Sequence, residues 1–254
     1  MAFYLAHPKM ILSDSMGPLI EFYQVLQNHP AELSYALAEL RMYGIDKESY
    51  LKIRAVDADT PIMRAARFLY LNKVGFNGLH RENSKGKFNV PYGDGDPTFP
   101  SRDEIQEAAK ALKYAYLGAG DFEKTLILAC SNDIVVADPP YHTTFTNYNK
   151  GGFSEDDQER LATALYHASE RGAAVIAHNH DTSLVRYLYG EWATITPVQE
   201  ARRGNSDPTK RGERAQCVVI TKGIDLGLPP PLDPGTKPVL PFNGPEEILR
   251  LPRV

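Results

Sequence analysis

Short apolar runs alternate along this chain with stretches whose apolar residues recur every three or four positions. Lys9-Met10-Ile11-Leu12-Ser13 is one such run and ends at Asp14; from Pro18 onward Leu19, Phe22, Tyr23 and Leu26 share one helical side. The pattern predicts a strand, a tight loop and a helix. A second helix is expected from about Ala31 to Met42. Thr60 and Pro61 supply a cap and a first-turn proline for a third, with Ile62, Ala66, Leu69 and Tyr70 on one stripe and a stop before Gly75. Ser101-Arg102-Asp103-Glu104 has the form of a capping box, and Ile105, Ala108, Ala109 and Leu112 continue a helical face behind it. Tyr114 to Leu117 reads as a short strand ending before Gly118, and a turn of helix follows Asp121-Phe122. The β-branched run Ile134-Val135-Val136-Ala137 predicts a fully buried strand. Ser154 caps the next helix, with Glu155, Asp156 and Asp157 in its first turn and Leu161, Ala164, Leu165 and Ala168 as its stripe. Ala173 to Ala177 and Gln216 to Thr221 read as further strands.

Buried strands alternating with amphipathic helices point to an α/β fold with a parallel sheet covered on both faces. Residues 28–113 carry no strong strand pattern and read as an inserted, mainly helical domain, which leaves 1–27 and 114–222 for the sheet domain. The stretch from Gly75 to Pro100 is rich in glycine, proline and asparagine with little periodicity, so it reads as a long structured loop; such loops are uncommon unless functional. Residues 223–254, crowded with proline and glycine, read as an irregular tail.

A length of 254 residues suits one large core or a catalytic domain with a smaller insertion. No stretch approaches the roughly 18 apolar residues a membrane span needs, and Met1 to Leu5 lacks the charged start of a signal peptide, so a cytoplasmic protein is expected. Cys130 and Cys217 are too few and too far apart for a disulfide framework or a cysteine zinc site, and both read as ordinary buried thiols. The net charge of -4 is unevenly spread: Arg64 to Gly93 holds six Lys/Arg against one acid, and Ala201 to Arg214 five against two. Two basic segments on an acidic body suit phosphate contacts, or are simply two solvated faces.

Asp138-Pro139-Pro140-Tyr141 follows the strand expected at Ile134 to Ala137, and in open α/β sheets ligands bind beyond the carboxyl ends of the strands. Two prolines fix φ and donate no amide hydrogen, so they can hold the Asp carboxylate and a backbone carbonyl in a rigid, acceptor-only arrangement. That arrangement suits an exocyclic amine. An aromatic amine is a poor nucleophile because its lone pair is delocalised; two acceptors gripping its hydrogens favour a pyramidal nitrogen, and Tyr141 can stack on the base. The same four residues also suit a plain turn.

Asp-Pro-Pro-Tyr after a strand resembles the catalytic motif of DNA amino-methyltransferases, in the Asp form typical of adenine-N6 enzymes. The segment Phe68-Leu69-Tyr70-Leu71-Asn72-Lys73-Val74-Gly75-Phe76-Asn77-Gly78-Leu79, then Arg81, Asn83, Gly86 and Phe88-Asn89-Val90-Pro91-Tyr92-Gly93, is similar to the target-recognition segment of the Dam-like adenine methyltransferases. With Asn179-His180-Asp181-Thr182, also similar, the resemblance runs from about Met10 to Lys222.

The resemblance implies a class I methyltransferase: a Rossmann-like, mostly parallel sheet that binds S-adenosylmethionine, with an inserted target-recognition domain. It implies methyl transfer to an adenine flipped out of double-stranded DNA, with no metal and no membrane, in a bacterium or phage. Asp14 would receive the cofactor ribose, although an Asp turn is the alternative; Asp121 and Phe122 would hold the cofactor's adenine. Asp138 with the Pro139 carbonyl would grip the target N6, Pro140 would stiffen the turn and Tyr141 would stack on the base. Asn77, Leu79, Arg81, Lys85 and Lys87 would face DNA, with Arg81 suited to reading guanine. Asn72 reads as a turn-stabilising amide, and His180 as structural rather than a general base.

Two departures accompany the resemblance. The family's Gly-rich Phe-x-Gly-x-Gly cofactor loop and the Lys-containing segment before it have no counterpart, so upstream sequence or a separate polypeptide is expected to supply them, or else the chain is a non-catalytic DNA-binding relic. Gly93-Asp94-Gly95 stands where Gly-Arg-Tyr is common, so the usual GATC target is not expected. Cytosine-N4 methylation is a minor variant of the same chemistry.

Overall fold

The computed structural model describes residues 9–93, 95–142, 152–201 and 214–227. The chain divides into two compact units, residues 1–122 and 123–254.

In the first unit, strand β1 (Ile11–Asp14) leads through helices α1 (Gly17–Asn28), α2 (Pro30–Tyr43), α3 (Lys47–Ala55), α4 (Pro61–Val74) and α5 (Arg102–Leu112) to strand β2 (Tyr116–Ala119). The caps read from sequence form as expected. The Thr60 side chain accepts from the Met63 amide, and Ser101 and Glu104 each accept from the other's backbone amide, at 3.2 and 2.8 Å. α3 has no counterpart in the sequence reading; Asp46 caps it by accepting from Glu48 and Ser49, and Arg67 from α4 donates to the Ile53 and Arg54 carbonyls at its other end. Burial lowers the Arg67 guanidinium pKa. Leu33, Tyr50, Ala66, Tyr70 and Leu112 are fully buried in this core. Tyr70 donates to the Gly44 carbonyl at 2.7 Å, and burial pushes its phenol up to about 12.

β1 and β2 pair in parallel, Ile11 opposite Tyr116 through Asp14 opposite Ala119. The second strand therefore lies two residues beyond the expected Tyr114 to Leu117 and runs through Gly118. Backbone pairing to β1 sets its limits, and a glycine does not interrupt such a ladder.

The second unit contains α6 (Glu123–Leu126), β3 (Ile134–Ala137), α7 (Glu155–Glu170), β4 (Ala174–His180), α8 (Ser183–Tyr189), β5 (Thr194–Ala201) and β6 (Arg214–Lys222). The sheet order is β3-β4-β6-β5; β3 and β4 are parallel, whereas β6 runs antiparallel to both β4 and β5. Three of the four described strands, β3, β4 and β5, thus share one direction, and β6 alone is reversed. β5 and β6 follow one another among the described strands, and antiparallel neighbours need no crossover helix. On one face Val135 packs with Ala129, Ala168 and Ala173; on the other, Ile176 and Ile224 pack with Val198, Cys217, Val219 and Leu226.

β3 is not the fully buried strand its composition predicts. It stands at the edge of the described sheet, and Ile134 and Val136, alternating onto one face, are 61% and 43% exposed. Cys217 is buried, but Cys130 is exposed, and its thiol donates to Asp133, whose carboxylate raises the thiol's pKa. No helix among the described residues is long and apolar enough to cross a membrane. Asp94, most of the second basic segment and the tail beyond Gly227 lie outside the described residues.

Candidate functional site

Because β1 and β2 are parallel, their carboxyl ends lie side by side. The Asp14 carbonyl accepts from the Gly120 amide at 3.0 Å, bringing Asp14 together with Asp121 and Phe122. Gly120 turns the chain there with φ at 141°, a conformation L side chains rarely adopt. The Asp14 carboxylate also accepts from the Met16 amide at 2.7 Å, an Asp turn leading into α1. The turn and a ligand role are compatible, since one carboxylate offers about four acceptor sites. Asp14's charge is felt nearby: burial first, and Asp14 second, raise the Tyr23 phenol pKa. Asp121 is exposed and Phe122 half-buried, so strand-end acceptors stand beside an aromatic ring.

In the second unit the Asp138-Pro139-Pro140-Tyr141 turn leaves the carboxyl end of β3. The Tyr141 hydroxyl donates to Asp138 Oδ1 at 3.0 Å and also meets His178 Nδ1 at 2.5 Å. A phenol has one proton, so the arrangement satisfying both contacts has His178 donating from Nδ1 to the phenol oxygen. The Tyr141 ring meets His178 and His180 edge-on, with centroids 5.0 and 5.2 Å away. His180 makes its own Nδ1 contact to the His142 carbonyl, which ties it to the backbone. Thr182 and Glu155 bracket the His142 ring at 2.9 and 3.2 Å. Asp138, Pro139, Pro140 and Tyr141 thus form one acceptor-rich corner backed by histidines from β4.

The sequence reading missed this backing. His142, His178 and Gln158 were not singled out, and Asn179 only within the Asn179-His180-Asp181-Thr182 resemblance; their contacts join the turn, α7 and β4 across 18 to 40 residues of chain. One signal was available: Gln158 lies three residues before Leu161, on the apolar stripe that continues through Leu165 and Ala168, where a polar side chain calls for a partner.

The recognition-like segment lies wholly in the first unit. After α4, Phe76–Gly78 forms a single 3-10 turn in which Asn77 adopts a left-handed φ of 53°, and Asn72 donates to the Gly78 carbonyl at 2.6 Å. Asn72 is therefore the turn amide it was read as. Residues 81–89 form a small hairpin: Glu82 bridges Phe88, the Asn89 amide donates to the Arg81 carbonyl, and Asn83 Oδ1 accepts from the Lys85 and Lys87 amides at the tip. Arg81 donates through Nε and Nη2 to the side chain and carbonyl of Asn89. That spends one edge of the guanidinium on holding the hairpin. Lys85 and Lys87 are exposed at the tip, with Lys87 3.5 Å from Asp57, while Leu79 is half-buried at the base.

A ladder of rings anchors the hairpin: Phe22 on Phe68, Phe68 on His80, His80 on Phe88, with centroids 5.4 to 5.7 Å apart. Burial lowers the His80 pKa from its ordinary 6.5, outweighing the Glu82 carboxylate that pulls it up. His80 is thus held neutral in the fold, and its contribution to stability is full above the unfolded value and is lost as pH falls through the folded one. Thermal midpoints measured from about pH 8 down to about pH 5 should fall in the acid range, and His80→Phe should flatten the part of the slope that His80 causes. An identical acid slope in both proteins would rule this out.

The family model for D12 class N6 adenine-specific DNA methyltransferases matches residues 1–203. The chain is 36% identical over 192 residues to the retron Ec67 DNA adenine methylase of Escherichia coli, covering 72% of this chain and 66% of that protein. It is 39% identical over 193 residues to a DNA adenine methylase of Vibrio cholerae, covering 71% and 69%. Against the type II methyltransferase M1.LlaDCHI of Lactococcus lactis it is 32% identical over 235 residues, covering 87% and 82%. A match of that extent, on a chain whose Asp-Pro-Pro-Tyr turn leaves a strand end, identifies the family: the chain belongs to the D12 class of N6 adenine-specific DNA methyltransferases.

Proposed function

We propose that this chain, a class I methyltransferase with a Rossmann-like sheet, methylates the N6 amine of an adenine flipped out of double-stranded DNA, with S-adenosylmethionine as methyl donor. The observation that carries the reading is the acceptor-only turn at the end of β3, where Asp138 stands beside Tyr141. Asp138 and the Pro139 carbonyl accept the two amine hydrogens and raise the nitrogen's nucleophilicity; Pro140 keeps the turn rigid, and the Tyr141 ring stacks on the base. In this structure the Tyr141 hydroxyl sits on Asp138, so the incoming amine replaces one hydrogen-bond donor with another at that carboxylate.

The acceptors Asp14 and Asp121, with the Phe122 ring, suit the ribose hydroxyls, adenine amine and flat face of S-adenosylmethionine; their gathering at parallel strand ends supports this assignment. When bound, that cofactor supplies a methyl group on a positively charged sulfur. Transfer is a direct displacement, with no covalent enzyme intermediate, and positioning provides most of the rate. The residues 1–27 and 114–222 form the cofactor-binding part in this reading, and 28–113 the target-recognition part. Asn77, Leu79, Arg81, Lys85 and Lys87 meet DNA along the hairpin and its base, Arg81 reading a guanine and the lysines meeting phosphates. The exposed apolar face of Ile134 and Val136 on edge strand β3 supports a further part of the reading: another polypeptide segment, carrying the Gly-rich cofactor loop, lies along it.

Incubation of the protein with labelled S-adenosylmethionine and duplex DNA, followed by nucleoside analysis, tests the reaction. N6-methyladenine is the expected product. Label in N4-methylcytosine, or DNA binding without any incorporation even when the Gly-rich segment is supplied, would overturn it.

A further inference from the structure

Gln158 on α7 and Asn179 on β4 are each only 1% exposed, although neither belongs to the Asp138–Tyr141 turn. Burying an amide is unfavourable unless its donors and acceptors are matched, and an apolar residue would fill either position at lower cost. Their hydrogen bonds show what the pair does instead. Asn179 Nδ2 donates to Gln158 Oε1 at 3.0 Å, and Gln158 Nε2 donates to the Pro140 carbonyl at 2.8 Å. Asn179 Oδ1 accepts from the His142 amide at 2.8 Å and from its neighbour His180 at 2.9 Å. The relay therefore holds the chain on both sides of Tyr141, by the carbonyl before it and the amide after it. Pro139 and Pro140 have no amide hydrogens, so these flanking groups are handles by which the rest of the protein can fix the turn.

We propose that Gln158 and Asn179 are positioning residues for methyl transfer, a claim that rests on the reaction proposed above. They act through the backbone of residues 140 and 142 and hold Asp138 and the Tyr141 ring at the spacing the flipped adenine needs. Neither touches the reacting atoms. Misplacing such a group by about 1 Å can cost about a hundredfold in rate.

The test compares the full chain with Gln158→Met, which fills the same space without hydrogen bonds, and with Asn179→Ala. Three quantities are read: thermal midpoint, kcat against KM for DNA, and hydrogen exchange of the His142 amide by NMR. For Gln158→Met the expected result is kcat lower by about 10- to 100-fold with KM for DNA little changed; the thermal midpoint falls modestly, because Asn179 Nδ2 loses its acceptor. For Asn179→Ala, exchange at His142 should quicken about tenfold or more, while Val175 and Ile220 in the sheet keep their wild-type rates. Wild-type kcat in Gln158→Met, or a loss of kcat no greater than the loss of folded protein, overturns the proposal. If the wild-type chain transfers no methyl group, the proposed reaction fails separately, and exchange at His142 decides the positioning: unchanged exchange in both variants overturns it.

Discussion

Asp138→Ala is expected to lower kcat for methyl incorporation by about a thousandfold or more, with DNA affinity within a few-fold of wild type. The magnitude follows from what the carboxylate does in the proposed reaction. Positive charge grows on the adenine nitrogen as the methyl group arrives, and a fixed anionic acceptor stabilises that charge more than it stabilises the neutral amine. Removing one preorganised partner of this kind typically costs a hundred- to a thousandfold, and a full negative charge lies at or beyond the upper end. Alanine also releases the Tyr141 hydroxyl, which donates to Asp138 Oδ1. Tyr141→Phe separates the two effects: it removes that hydroxyl but keeps the ring, and base stacking on a ring is worth about 1–3 kcal/mol whatever its substituent. A loss below about tenfold is expected for Tyr141→Phe. Steady-state kinetics on one duplex would measure all three proteins, and an Asp138→Ala enzyme within about tenfold of wild type would remove Asp138 from the chemistry.

The features legible in the sequence are those settled by neighbours in the chain. Ser101 with Glu104, Ser154 with Asp157 and Thr60 before Pro61 each form the cap their spacing predicts, because a cap needs only residues three apart. The α3 helix escaped because its nine residues bury only Tyr50 and Ile53, a single pair with no stripe to follow. β5 was hidden by Pro197, which ordinarily argues against a strand; it is tolerated here because β5 is the last strand of the described sheet. Ile134 to Ala137 was read as buried on both sides because a β-branched run does not say whether it stands inside a sheet or at its edge. The same division holds at the site. Asp138 to Tyr141 could be picked out because its chemistry lies in four consecutive residues. The histidines and amides behind it reach it only through the pairing of β3 with β4 and the packing of α7, so their roles exist only once the fold is formed.

Gly75→Ala should both destabilise the protein, by about 3 kcal/mol, and weaken DNA binding, because Gly75 marks where the proposed target-recognition segment is fastened to α4. The backbone angle is no obstacle: φ at Gly75 is -74°, which any residue adopts. Space is the obstacle. A Cβ there would lie 2.5 Å from the Leu71 carbonyl oxygen and 3.1 Å from the Tyr50 hydroxyl. The first clash is with the carbonyl that accepts from the Gly75 amide at the end of α4, and backbone cannot rotate aside as a side chain can. The second is with the hydroxyl that holds the Val90 carbonyl at 2.9 Å. From there the Gly93 amide donates to the Val74 carbonyl and the Phe76 amide to the Pro91 carbonyl, so any shift of Tyr50 or of the helix end passes to both ends of the hairpin. KM for DNA should therefore rise more than kcat falls. Gly95→Ala is the matched control, since its Cβ meets nothing within 4 Å. Thermal unfolding and salt-dependent DNA binding of the two variants would decide: if Gly75→Ala behaves like Gly95→Ala, the α4 junction does not position the hairpin.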